Sequence, residues 1–229
     1  HHGVVGCALG WACWKTYLGR PETHVCRRLA MAHLANGLHE GKHYEDALSV
    51  RETDLAMIRR IGAPEEHILN AQSNLANSYQ MLDMRDETIR MRRNTYAGWL
   101  KLHGEEHRHT IVEASNLANL LYSMGSSEEA RSILRKMIPV AQRSLGEDRL
   151  TLRMRSVYAV MVCDDDSATL DDLRETVTSL VETERTARRV LGAAHPVADE
   201  IRRDLERARA TLSGRVTRDF AESLAGVKI

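Results

Sequence analysis

Apolar residues along most of this chain recur three and four positions apart, the spacing that gathers them on one side of an α-helix. Val50, Leu55 and Ile58 form one such stripe, Met91, Tyr96 and Trp99 a second, and Ile133, Ile138 and Ala141 a third. Ahead of each stripe lies another helix marked by a Leu-Ala pair: Leu34-Ala35, Leu75-Ala76 and Leu117-Ala118. Twelve residues after each of those alanines stands a small residue, Ala47, Thr88 or Ala130, inside an acidic helix start. Small side chains at two fixed points predict paired helices that cross closely there. Pro139 interrupts the third stripe and predicts a kink or a shortened hydrogen-bond ladder.

Glycines punctuate the pattern at Leu18-Gly19, Ile61-Gly62, His103-Gly104, Leu145-Gly146 and Leu191-Gly192, with spacings of 43, 42, 42 and 46 residues. A histidine follows four of them, His24, His67, His107 and His195. Such a joint predicts a helix ended by a left-handed glycine, a short acidic turn, and a new helix whose first turn tolerates proline and favours acidic residues, with the histidine in a helix-capping or turn role. The joints divide the chain into repeats over about 20–62, 63–104, 105–146 and 147–192, then a capping helix over 195–212 and a tail over 213–229. Residues 1–18 read as the second helix of a preceding pair. The fold class predicted is all-α, an α-solenoid of stacked antiparallel helix pairs.

Leu-Ala in the first helix, a small residue twelve positions later and a Leu-Gly to His-Pro joint at about 42 residues together resemble the tetratricopeptide repeats of the kinesin light chain family. Ordinary tetratricopeptide repeats run 34 residues, and the longer period singles out this branch. The resemblance covers Gly19 to about Leu212, strongly in the first three units and weakly in the fourth. It implies a right-handed superhelix whose first helices line a concave groove.

The pentapeptide Ser-Asn-Leu-Ala-Asn occurs at 73–77 and again at 115–119. Asparagine costs a helix interior roughly 0.5 kcal/mol against alanine, so its repetition asks for another reason. Asn70, Ser73, Asn74, Asn77 and Gln80 share a polar, uncharged helix face, matched by Ser115, Asn116, Asn119 and Ser123 in the next unit and by Asn36 and His39 in the preceding one. By the resemblance, this face lines the groove, and these eleven residues are the candidate peptide-binding set. Carboxamides carry both donors and an acceptor and can bridge to the backbone of an extended guest. The other reading is that they satisfy each other or nearby backbone. The function expected is a protein-interaction scaffold that holds a short peptide segment of a partner; the alternative is a regulatory or sensor region of a larger ATPase or signalling protein. Alanine at Asn77 and Asn119 is expected to leave the melting temperature unchanged or higher.

The bulk numbers narrow the partners. Lysine plus arginine and aspartate plus glutamate both total 32, and the isoelectric point is near 7.3. That balance argues against nucleic-acid and membrane partners. Four cysteines in no metal-ligand spacing fit a reduced, cytoplasmic protein. The apolar run Gly3 to Trp14 is too short to span a bilayer, but Trp11 and Trp14 are expected to expose a patch that drives weak self-association. His103, His107 and His109 cluster without the pattern of a metal site, and no cofactor is expected. Asp164 to Asp166 lacks the glycine of a calcium loop and reads as a solvated helix start. Arginine clusters, among them Arg90, Arg92 and Arg93, read as outer faces. No catalytic motif appears, so an enzyme is not expected.

Overall fold

The structure, a computed structural model, describes residues 2–226. Among them are ten α-helices and no strand. In chain order these are α1 (His2–Tyr17), α2 (Val25–Glu40), α3 (Tyr44–Arg60), α4 (Glu65–Met81), α5 (Arg85–His103), α6 (Arg108–Ser123), α7 (Ser127–Leu145), α8 (Arg149–Cys163), α9 (Leu170–Leu191) and α10 (Pro196–Gly226). Helices α1 to α4 pack in chain order, as do α6 to α10, the consecutive pairing of an all-α solenoid. The chain divides between Leu102 and His103 into two compact units.

In the first unit the small residues do what their spacing predicts. Ala35 and Ala47 are buried on the packed pair α2 and α3, and Ala76 and Thr88 are buried on α4 and α5. Thr88 turns its hydroxyl onto the Met84 carbonyl at 2.6 Å, so its polar atom is satisfied by the residue just before its own helix. Met31, Leu55, Ile58, Ala71 and Leu75 join one core, and Leu34, Leu38 and Ala47 join another. Helix α1 approaches α2 through glycine: a Cβ on Gly37 would lie 2.4 Å from the Gly6 carbonyl oxygen. The two N-terminal tryptophans part company. Trp11 is exposed, whereas Trp14 packs against both cores and carries the Arg27 guanidinium over its ring. The exposed pair expected from the sequence is therefore split.

In the second unit Ala118 and Ala130 are buried on α6 and α7. Leu152, Leu173, Leu180, Ile201 and Leu205 form the core shared by α8, α9 and α10. Pro139 does not end α7, which runs on to Leu145 with the proline ring on its exposed face. Helix α10 likewise passes Leu212 and continues to Gly226, so residues 213–226 are helical where the pattern predicted a tail; residues 227–229 lie outside the described residues.

Four of the five joint glycines, Gly62, Gly104, Gly146 and Gly192, have positive φ between 65° and 96°, which ends a helix at little steric cost only without a Cβ. Gly19 is not among them. His24 and His195 cap their helices through Nδ1, accepting from Cys26 N at 3.2 Å and Val197 N at 3.1 Å. His107 holds the N-cap place of α6 without a side-chain cap bond, and His67 sits inside the first turn of α4.

Candidate functional site

Two arginines on the second helices, which the sequence pattern assigned to solvent or passed over, turn out to be buried. Arg51 of α3 is 6% exposed and Arg92 of α5 is 3% exposed. Each stands on the apolar side of its helix, four residues after the buried Ala47 or Thr88. Neither could stay there without acceptors, because an unpaired buried guanidinium is costly. Arg51 Nη1 donates to Ser78 Oγ at 2.7 Å and to the Asn74 carbonyl at 2.8 Å, and its Nη2 donates to Asn36 Oδ1 at 3.2 Å. Arg92 Nη2 donates to Asn77 Oδ1 at 2.5 Å, and its Nη1 reaches Ser73 Oγ at 3.4 Å. Burial pushes the Arg51 side chain below its ordinary pKa.

Part of the reason for the repeated asparagines is therefore internal. Asn36 and Asn77 each accept a hydrogen bond from the arginine fifteen residues further on. Alanine at Asn77 removes an acceptor from a buried guanidinium, so the expectation that the melting temperature would hold or rise is corrected: a loss is expected instead.

Between α2 and α4, over the α3 floor, lies an open cleft of about 280 Å³. Val25, Leu29, Ala32, Ile58 and Ala71 make its apolar surface, and Arg28, Asp54, His67, Asn70 and Asn74 its polar one. Arg28 Nη2 lies 3.0 Å from His67 Nδ1. Since a guanidinium can only donate, Nδ1 accepts and the imidazole proton of the neutral ring sits on Nε2. Asp54 is half-buried, and among the described residues no donor lies within hydrogen-bond distance of its carboxylate. Burial pushes its pKa up, against the pull of Arg28. A smaller hollow beneath the cleft is bordered by Asn36, Arg51, Asp54 and Asn74.

The candidate set thus occupies several environments. Asn70 and Asn74 face the cleft and are exposed, as are Asn36 and Gln80, while Ser73 and Asn77 are half-buried against Arg92. His39 is half-buried, sets its ring edge-on to Tyr44 at 5.4 Å, and is held below the ordinary histidine pKa by burial and then by Arg51. In the second unit Ser115 is buried, Asn116 Nδ2 approaches Glu113 Oε1 at 3.5 Å, Asn119 is half-buried, and Ser123 turns its hydroxyl to the Leu120 carbonyl at 2.7 Å. The place that Arg51 and Arg92 hold in their units is taken there by Leu134, which is fully buried.

Other motifs resolve into packing. Asp164 accepts from Arg207 at 2.5 Å and from the Tyr122 hydroxyl, while Asp165 pairs with Arg131 and accepts from Ser167 N at 2.9 Å. The acidic run is a clasp joining α6, α7 and α10 to the α8–α9 turn, not a solvated helix start. The His103 and His107 rings stack at 4.3 Å. Among the described residues no group of three His, Cys, Asp or Glu is placed to hold a metal ion, and no helix is long and apolar enough to cross a membrane.

Sequence reasoning missed Asp54, Arg51 and Arg92. The arginines carried a signal: both fall on the buried register, fifteen residues after an asparagine. Asp54 carried none, since only the placing of α2 and α4 encloses it.

Residues 67–143 match the family model described as tetratricopeptide repeat. No curated protein matches the chain by sequence. Among solved structures, a Podosopora anserina protein described as kinesin light chain nearly identical TPR-like repeats superposes with a TM-score of 0.68 at 20% identity, over 89% of this chain and 93% of its own. BtubC (BKLC) from P. vanneervenii gives 0.62 at 14%, over 100% of this chain and 92% of its own. A Rap protein complexed with competence and sporulation factor gives 0.60 at 15%, over 91% of this chain and 59% of its own. The chain therefore carries tetratricopeptide repeat sequence over residues 67–143 and has the helical-repeat fold of kinesin-light-chain-like repeat proteins.

Proposed function

We propose that this chain is a protein-interaction scaffold that holds an extended peptide segment of a partner along its first helices, seated in the cleft between α2 and α4. The observation that carries the reading is the cleft itself: an open, largely apolar hollow of about 280 Å³ edged by the exposed carboxamides of Asn70 and Asn74. Val25, Leu29 and Ile58 offer a surface to an apolar side chain, while the amides offer donors and acceptors to a backbone that lacks a sheet partner. Asp54 adds an unpaired carboxylate at the floor, suited to a guest that brings a donor. The Rap protein of similar fold, complexed with competence and sporulation factor, supports the idea that such a scaffold holds a guest.

The test is a peptide-display selection against the intact chain, followed by affinity measurement on the Asn70→Ala, Asn74→Ala double variant. Both side chains are exposed, so the variant keeps its melting temperature. Selected peptides are expected to bind it about tenfold more weakly or worse, the loss of one or two net hydrogen bonds. Wild-type affinity in a folded double variant, or a selection that returns no peptide, would overturn the proposal.

A further inference from the structure

The two buried arginines do more than fill space. A guanidinium has five donors and no acceptor, so the atom that Asn36 turns to Arg51 and the atom that Asn77 turns to Arg92 can only be the carboxamide oxygen. The usual ambiguity between the oxygen and nitrogen of an amide is removed by chemistry at both positions. Each Nδ2 then points away from the guanidinium, and among the described residues neither finds an acceptor. Asn36 borders both the small hollow over Arg51 and a larger open trough of about 430 Å³ beside the close α1–α2 crossing.

Satisfying an arginine does not by itself call for asparagine. A carboxylate at the same place would accept a shorter, charge-assisted bond and neutralise the buried charge. What asparagine keeps and aspartate lacks is a pair of donors on the far side of the amide. The same choice appears in two units with the same fifteen-residue spacing. The third unit has Asn119 but Leu134 in the arginine's place, so nothing of this kind fixes its amide.

We infer that Arg51 and Arg92 are positioning residues that lock Asn36 and Asn77 with their donors outward, so that the first two complete repeats read the carbonyl oxygens of an extended peptide while the third does not. This rests on the scaffold reading above. It assigns the chemistry of the guest at these points, hydrogen-bond acceptors spaced along a backbone, and it divides the eleven candidate residues into oriented and unoriented ones.

The experiment uses the intact chain and the tightest peptide from the display selection. Asn36→Asp and Asn77→Asp keep an acceptor for each arginine and delete only the donors. Both variants are expected to melt at or above the wild-type temperature and to bind the peptide about tenfold more weakly, whereas Asn119→Asp changes affinity less than about threefold. Arg92→Met is expected to weaken binding with the helical content unchanged, and Arg92→Lys to recover part of it. In the wild-type chain, titration with the peptide is expected to shift the Asn36 and Asn77 side-chain amide resonances and slow their proton exchange. Wild-type affinity in both folded aspartate variants overturns the inference, as do amide resonances that do not respond to bound peptide. If the peptide loses affinity for the Asn70, Asn74 double variant but not for the aspartate variants, the inference falls and the scaffold reading stands. A selection that yields no peptide removes both.

Discussion

Asn77 and Arg92 stand fifteen residues apart on consecutive helices and meet at 2.5 Å, the amide oxygen of one accepting from the guanidinium of the other at a depth where only 3% of the arginine is exposed. Asn36 and Arg51 repeat the relationship one unit earlier. Asn77→Ala and Asn36→Ala should therefore each cost about 1–2 kcal/mol, since each takes an acceptor from a buried cation. Urea denaturation with an unchanged slope would measure it; a midpoint equal to wild type would show that water replaces the amide at no cost.

Asp54 behaves in the opposite sense. Its folded pKa is raised by burial, so the folded state is favoured below the pKa of the unfolded chain and loses stability as pH rises through the folded value. Asp54→Asn should raise the melting temperature at pH 7, and the gain should shrink towards nothing below about pH 4, where the unfolded carboxyl is also protonated. A gain that persists undiminished in acid would place its origin elsewhere.

The clasp around Asp165 supplies the complementary case. The Ser167 hydroxyl, the Arg131 guanidinium and the Ser167 backbone N–H pull its carboxyl from the ordinary 3.8 down to about 2. Folded below unfolded means a contribution present above about pH 4 and lost as the pH falls from there to about 2. Asp165→Asn should lower the melting temperature at pH 7, and the two curves should converge only below about pH 2. Added salt should narrow the gap only slightly, because the two side chains are just 16% and 20% exposed.

Two glycines inside helices predict different outcomes for the same change. A Cβ on Gly98 would meet the Leu69 Cδ2 atom at 2.4 Å, the mobile end of a side chain. A Cβ on Gly37 would meet the Gly6 backbone oxygen at the same 2.4 Å. Alanine gains about 1 kcal/mol of helix propensity over glycine at either place. Gly98→Ala should therefore come out near neutral, because Leu69 can turn aside. Gly37→Ala should destabilise by about 1–3 kcal/mol, because the α1 backbone itself must move. Thermal melts of the two variants compare them directly.

Trp99 is 1% exposed and lies on the inner face of α5, as its register predicts. Trp99→Ala should cost about 3–5 kcal/mol through the cavity it leaves. A cost under about 1 kcal/mol, read by chemical denaturation, would mean that the surrounding helices close over the gap.

The helix pairs and their crossings were legible in the chain because they depend on near neighbours. Leu34-Ala35 and Ala47, Leu75-Ala76 and Thr88, and Leu117-Ala118 and Ala130 announce close packing by size and spacing, and all of them are buried. Glycine at four joints does the same through a backbone angle that belongs to the residue itself. Arg51 and Arg92 are different. An arginine's default is solvent, and what overrules the default is a set of acceptors drawn from other helices: for Arg51, Asn36 before it and Asn74 and Ser78 after it. Asp54 likewise becomes half-buried only because α2 and α4 close over α3. Local sequence thus decided where this protein forms helices and where they touch, because helix periodicity and side-chain size act over a few residues. Which charges go inside, and which end of each asparagine faces out, was decided by tertiary structure, because desolvation and hydrogen-bond partnership depend on groups brought together from 15 to 27 positions away.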